Sequence, residues 1–157
     1  MLLAEALVLR ASQQTKLKEL SARIEDNARV PEGRDPDEDP EGLLAEAVAL
    51  ADDLARLVER INRANSATSG DGSGGATISD LIARRDHAQR MTQLHRAVAK
   101  AGTRAAGRGW LARDADHPTA AAVNVAALQK EADAWAVRYR ELDVRLQQLN
   151  WSTGLRE

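Results

Sequence analysis

The chain has 157 residues, of which 43% are hydrophobic and none is cysteine, and its formal net charge is −2. This length suits one domain with its own core. The lack of cysteine excludes disulfides, thiolate zinc sites, iron–sulfur clusters and cysteine nucleophiles, and the nearly balanced charge excludes a chain that binds polyanions along its whole surface.

The first predicted helix covers residues 2–27. Its polar middle, SQQTK at 12–16, interrupts a row of apolar side chains at helical spacing. The opening MLLAEALVL has no basic leader and is broken by Glu5, so we interpret it as helix and not as a signal peptide. No run approaches the ~20 apolar residues of a transmembrane helix. Together with the lack of cysteine, these features favour a cytoplasmic protein.

The second predicted helix, 41–65, has the clearest start. Asp39 can cap it, Pro40 suits the first helical position and Glu41 favours the positive end of the dipole. Its apolar residues alternate in steps of four and three, which indicates packing against another helix. They are Leu43, Ala47, Leu50, Leu54, Leu57 and Ile61. The stretch 66–76, rich in glycine and serine, is expected to be a flexible linker.

The third predicted helix, 78–101, begins after Thr77, with Asp80 three residues later as in a capping box. Its expected apolar row is Leu81, Ala88, Met91, Leu94 and Val98. Glycines then weaken any helix, and we expect an irregular segment at 102–122.

The fourth predicted helix, 124–150, carries the strongest periodic pattern, because its apolar seam again follows strict steps of four and three. Trp135 and Tyr139 lie on this seam, where core or subunit contact is their expected role. As a hypothesis, five seam residues form contacts between subunits: Leu128, Trp135, Tyr139, Leu142 and Leu146.

No strand pattern competes with these helices. We therefore predict an all-α protein with long antiparallel helices, arranged either as a four-helix up-down bundle or as paired helical hairpins with coiled-coil-like packing. Residues 1–157 are expected to form a single helical domain.

Charge is segregated along the chain. The acidic region includes Asp35, Asp37 and Glu38, and a basic row recurs every fourth residue. That row consists of Arg96, Lys100, Arg104 and Arg108. These segments are either solvated faces, complementary contacts between subunits, or a site for an anionic ligand such as nucleic acid or phospholipid headgroups. Against nucleic acid, the basic segment has only Trp110 available for stacking.

A second polar cluster combines the end of the second helix with the third. It consists of Asn62, Arg63, Asn65, Arg85 and Asp86. Asparagine tolerates left-handed backbone and arginine complements the negative helix end, so a capped corner explains the first three without any ligand. A binding site is the alternative.

The chain offers little catalytic chemistry. His87 and His95 share a helix face but lie about 12 Å apart along its axis, too far to ligate one zinc ion. With His117 they are weak metal candidates, and we expect neither a metal nor another cofactor. No Gly-x-Ser-x-Gly turn, phosphate loop or Glu-x-x-His pair occurs, so we expect no enzyme.

Several stretches together resemble a septicolysin-like family of small bacterial proteins. They are LAEALVLRA at 3–11, NARVPEGRDPDEDPEGLL at 27–44, INRANSAT at 61–68, Arg85-Asp86, LQKEAD at 128–133, RELD at 140–143 and LNWST at 149–153. The resemblance implies an all-helical fold and a homo-oligomer, and the family label suggests a pore-forming toxin. The sequence departs from the family at 105–123, where relatives carry a segment with Tyr and Ser and a Glu-Ile-Lys run.

Three hypotheses for function follow. The first is a non-catalytic, self-assembling helical protein in which the acidic loop and basic segment mediate subunit contacts. The second is a membrane-active protein, although the mixed charges on its helices are not typical of interfacial helices. The third is a bundle that binds a metal or an anionic ligand. We favour the first, with the protein itself as the expected partner.

Overall fold

The computed structural model describes residues 1–70, 75–103 and 120–155. The described residues form four helices: α1 (Leu3–Asn27), α2 (Pro40–Ala67), α3 (Ile78–Thr103) and α4 (Val125–Ser152). The all-α class predicted from the sequence is confirmed. Within the described part of the chain, β pairing is limited to two isolated bridges.

The chain divides into two compact units. The first comprises Met1–Ile78 and Gln147–Glu157, and the second comprises Ser79–Leu146. The first unit therefore contains the α1–α2 hairpin and the C-terminal end of the chain. The second contains most of the α3–α4 hairpin.

The α1–α2 hairpin is antiparallel. Lys16 pairs with Glu46 at 2.7 Å, while Arg23, further along α1, pairs with Glu38, which lies earlier in the chain than Glu46. Between these pairs Leu20 is buried in a cluster whose other buried members are Leu43 and Ala47. The predicted α2 seam thus supplies one side of this core.

The cap at the start of α2 is confirmed. The Asp39 carboxylate accepts hydrogen bonds from the backbone N–H groups of Glu41 and Gly42, both at 3.1 Å, and Pro40 occupies the first turn. These bonds satisfy N–H groups that have no partner within the helix. The sequence therefore fixes this helix start by purely local chemistry.

Part of the predicted linker 66–76 has regular structure. α2 continues to Ala67, and the chain on either side of 71–74 is paired. Gly70 N donates to Ala76 O at 2.6 Å, and Ile78 N donates to Thr68 O at 3.1 Å. Residues 71–74 lie outside the described residues.

The two ends of the chain are joined by backbone hydrogen bonds in the first unit. Leu3 N donates to Thr153 O at 2.8 Å, and Leu155 N donates to Met1 O at 2.9 Å. Leu3 and Leu155 are both buried. Glu5 completes the start of α1, because its carboxylate accepts from Leu2 N at 2.7 Å.

The buried row of α3 differs from the predicted one. Leu94, expected in the seam, is 57% exposed, whereas Thr92 and Ala99 are buried beside Leu81 and Ala88. Thr92 can occupy this row because its hydroxyl donates to Ala88 O at 2.9 Å. The prediction for Leu94 was wrong because two rows run along adjacent strips of α3. Leu94 belongs to the bulky apolar row, whereas the row of small residues is the one that is buried.

Small residues also mark the end of this hairpin. A Cβ atom added at Gly102 would lie 2.8 Å from Cγ2 of Val125 and 2.9 Å from Cγ2 of Val123. The glycine thus allows α3 to approach the start of α4 closely. Asn124 caps α4, since its side-chain oxygen accepts from Ala127 N at 3.0 Å.

Candidate functional site

A groove of about 660 Å³ lies between α3 and α4 in the second unit. Its α3 side consists of Ala83, Arg84, His87 and Ala88. Its α4 side consists of Trp135, Arg138, Glu141 and Leu142. The hollow exists because two alanines on α3 lie opposite large side chains on α4, and its volume falls in the range of small-ligand pockets, about 300–1,000 Å³.

Trp135 is the centre of the groove. The His87 ring meets the Trp135 ring edge-on, with ring centroids 5.3 Å apart and an interplanar angle of 89°. Arg138 places its guanidinium carbon 5.1 Å from the centroid of the same ring. Both arrangements are attractive to the aromatic quadrupole and hold the indole in place.

The groove combines an apolar wall with cationic groups. Trp135 and Leu142 form the half-buried wall, while Arg84, Arg138 and Glu141 are exposed. Within the described residues Arg84 makes no ion pair. Two arginines against one glutamate leave the groove with an excess of positive charge.

An apolar strip extends from this groove along both helices. On α4, Leu128, Trp135 and Leu142 follow one another at intervals of seven residues, and all three are half-buried. On α3, Met91 and Leu94 lie seven residues after the groove residues Arg84 and His87. Seven residues are almost two helical turns, so each pair lies on one side of its helix.

We call this strip the lateral face. It consists of Met91, Leu94 and Val98 on α3 and Leu128, Trp135 and Leu142 on α4. Of the five predicted contact residues, Tyr139 is also half-buried, whereas Leu146 is 2% exposed. Leu146 therefore belongs to the interior of the chain and has almost no surface left for a second copy.

The acidic candidates lie in the loop between α1 and α2, which we call the acidic loop (residues 28–39). Glu38 is held within the chain: its carboxylate accepts from Arg23 Nε at 2.9 Å and also contacts Arg23 Nη2. These hydrogen bonds lower the pKa of Glu38 and raise the pKa of Arg23. Asp35 and Asp37 are exposed and make no ion pair with any described residue.

The basic row can be followed only in part. Arg96 is exposed and lies 4.0 Å from Asp133 of α4, at the outer limit of an ion pair. Lys100 is exposed in the last turn of α3. Arg104 and Arg108 lie outside the described residues.

The polar helix-end cluster belongs to two different units. Asn62 and Arg63 are exposed and Asn65 is half-buried near the end of α2, in the first unit. Arg85 and Asp86 lie on α3 in the second unit, where they form a salt bridge of 2.8 Å. Arg85 also lies 3.7 Å from Asp143 of α4, so it helps to join that hairpin.

The histidines have separate surroundings. His87 lies in the groove, and Nδ1 of His95 is 2.7 Å from Met91 O on the same helix. His117 lies outside the described residues. Over residues 1–70, 75–103 and 120–155, no three histidine, aspartate or glutamate side chains come together as metal ligands.

Sequence reasoning identified Trp135 and Leu142, placed Ala88 in the apolar row of α3 and named His87 only as a weak metal candidate, but it did not assign Arg84 or Arg138 to a site. The available signal was weak: Ala83 and Ala88 are small residues, and Arg84 and His87 are separated by one helical turn. Only the pairing of α3 with α4 shows that these residues lie opposite Trp135. No helix in the described part of the chain has a stretch long and apolar enough to cross a membrane.

Comparisons with known proteins give a family but no activity. No curated protein matches the chain. A crystal structure of a functionally unknown conserved protein from Corynebacterium diphtheriae is similar along 99% of both chains, with 34% sequence identity and a TM-score of 0.87. Residues 10–155 match the model of a family of unknown function, DUF6847. The chain therefore belongs to the DUF6847 family.

Proposed function

We propose that the protein is a non-catalytic helical subunit that assembles with copies of itself through the lateral face. One observation carries this proposal: the strict apolar seam predicted for α4 is only half-buried at Leu128, Trp135 and Leu142. Such a seam usually packs against a helix along its full length. A second copy would supply the surface that covers it.

The exposed apolar area gives self-assembly its driving force. Leu94 alone leaves 57% of its surface exposed on the α3 side of this face. Burial of apolar surface contributes about 25 cal/mol per Å² before the costs of association are subtracted. The interior seam of α3 is built from small residues such as Ala88 and Ala99, so it buries little area per residue. A shared interface would add buried apolar area to a chain whose own core contains little of it.

The chemistry of the groove supports a role without catalysis. Its described lining contains no serine, threonine or cysteine that could act as a nucleophile. The His87 ring lies nearly perpendicular to the ring of Trp135 and packs against it. The cations and the indole of the described groove suit recognition of a partner.

Substitution of Leu94 provides the test. Leu94→Gln should weaken self-association about tenfold, equivalent to ~1.4 kcal/mol, as measured by sedimentation equilibrium. The side chain is exposed within the chain, so the unfolding transition should stay nearly unchanged. Val144→Gln is the matched control, because Val144 on α4 is 58% exposed and Leu94 is 57% exposed. Equal association constants for both variants would refute the lateral face as the contact.

Membrane activity is the alternative suggested by the septicolysin-like resemblance. It makes a different prediction, because a pore-forming protein releases dye trapped in liposomes. We expect no release by the wild-type protein at concentrations at which it self-associates. Dye release that Leu94→Gln abolishes would instead assign the apolar strip to lipid.

A further inference from the structure

We propose that the α3–α4 groove of one copy receives the acidic loop (residues 28–39) of a second copy. This inference rests on the proposed self-assembly and names the two surfaces that give it specificity. It differs from the expectation based on sequence, because the cations involved are Arg84 and Arg138 rather than the row that begins at Arg96.

The groove requires an anionic and partly apolar occupant. Arg84 has no carboxylate partner within the described residues, and Arg138 packs on the ring of Trp135. Glu141 is the one acidic residue in the described lining. Beneath these charges lie the indole of Trp135 and the side chain of Leu142. An occupant that matches both features would carry carboxylates beside a small apolar surface.

The acidic loop has both features. Glu32, Asp35 and Asp37 are exposed and make no ion pair with any described residue, against two exposed arginines, Arg29 and Arg34. Val30 is 38% exposed and precedes Pro31, so the same loop offers apolar surface. The chain therefore carries a complement to its own groove.

Hydrogen bonds within the chain restrain the acidic loop before any contact is made. Glu38 N donates to the side-chain oxygen of Asn27 at 3.0 Å, and the Arg23 guanidinium holds the Glu38 carboxylate. Arg34 N donates to Pro31 O at 3.1 Å, closing a turn in which Gly33 has a φ of 82°. A preorganised segment loses little conformational entropy on binding, so more of its contact energy contributes to affinity.

A second copy fits the groove better than a small free anion. Arg84 and Arg138 are exposed, and single ion pairs at exposed positions contribute only about 0–1 kcal/mol. The acidic loop supplies several carboxylates and apolar contact at once, from a fixed framework. Its association should also weaken at high salt, because the screening length falls to about 3 Å at 1 M.

Charge reversal in the full-length chain tests this inference. The groove variant is Arg84→Glu with Arg138→Glu, and the loop variant is Asp35→Lys with Asp37→Lys. Either variant alone should self-associate at least about tenfold more weakly, since like charges then face each other. An equimolar mixture should recover association, because each reversed surface meets its new complement on the other variant.

Two control variants carry the same changes in net charge at other exposed positions. Arg90→Glu with Arg140→Glu matches the groove variant, and Asp52→Lys with Glu59→Lys matches the loop variant. Both controls should keep the wild-type affinity for self-association. Mixing the two controls should not strengthen association. Circular dichroism of every variant checks that the helices remain folded.

The outcomes separate this inference from the proposed function. If Leu94→Gln weakens association while both charge reversals leave it unchanged, self-assembly stands and the loop–groove contact is wrong. If only the groove variant weakens association, another anion occupies the groove and the inference is overturned. Failure of the mixture to recover association would also overturn it. A wild-type protein with the mass of one chain would refute both proposals.

Discussion

Gln13 offers a direct test of how the polar middle of α1 affects stability. It lies between Ala6 and Leu17 on the side of α1 that carries Leu20, and its Oε1 atom is buried without a hydrogen-bond partner. Such an atom loses its hydration and gains nothing in return, at a cost of about 1–3 kcal/mol. Leucine has a similar size and removes that atom.

Gln13→Leu should therefore raise the free energy of unfolding by about 1–2 kcal/mol. For a chain of this length, that increase corresponds to about 2–8 °C in Tm. Chemical denaturation monitored by circular dichroism measures the change, with the m-value checking that the transition keeps its two-state form.

Gln14→Leu is the matched control. Gln14 is adjacent in sequence but exposed, so the same substitution there should change stability by no more than about 0.5 kcal/mol. Loss of stability in Gln13→Leu, or an equal gain in both variants, would show that Oε1 of Gln13 is not the source of the cost.

The remaining predictions concern Gly102 and the acidic loop. Gly102→Ala should destabilise the chain by about 1–2 kcal/mol in chemical denaturation, because the overpacking cost exceeds the gain in helix propensity. Gly154→Ala, where an added Cβ meets nothing within 4 Å, is its control, and equal stability of the two variants would contradict the close approach. Hydrogen bonds from Arg23 and Lys16 lower the pKa values of Glu38 and Glu46 from the ordinary 4.5. These bonds should stabilise the hairpin above pH 4.5 and lose that effect as pH falls through the lowered pKa values. Consequently Arg23→Gln should differ from wild type in unfolding free energy at pH 7 but converge with it in acid, and a gap that persists in acid would argue against the pairing.

The sequence determines α2 almost completely, because every signal that defines it is local. Asp39 and Pro40 specify its start, and the steps of four and three specify its buried side. Both features depend on residues within a few positions of one another. No knowledge of the partner helix was needed to find them.

The orientation of α3 could not be obtained in the same way. This helix carries a bulky apolar row through Met91 and Leu94 and a small row through Ala88, Thr92 and Ala99. Periodicity alone favours the bulky row. The structure instead buries the small row, which allows closer packing, and leaves Leu94 exposed. This choice depends on the fit between two helices, which the sequence of one helix does not contain.

The groove was beyond prediction for the same reason. It depends on the distance between α3 and α4 and on the register that brings Ala83 and Ala88 opposite Trp135. Charge counting along the chain favoured the row from Arg96 to Arg108. Charge counting could not distinguish those residues from Arg84 and Arg138, which line the groove.

The native mass tests self-assembly most directly. Sedimentation equilibrium of the wild-type protein at low salt, over a wide range of concentration, should give a mass that is a multiple of the 17.0 kDa of one chain. A mass of 17.0 kDa at every concentration would contradict it.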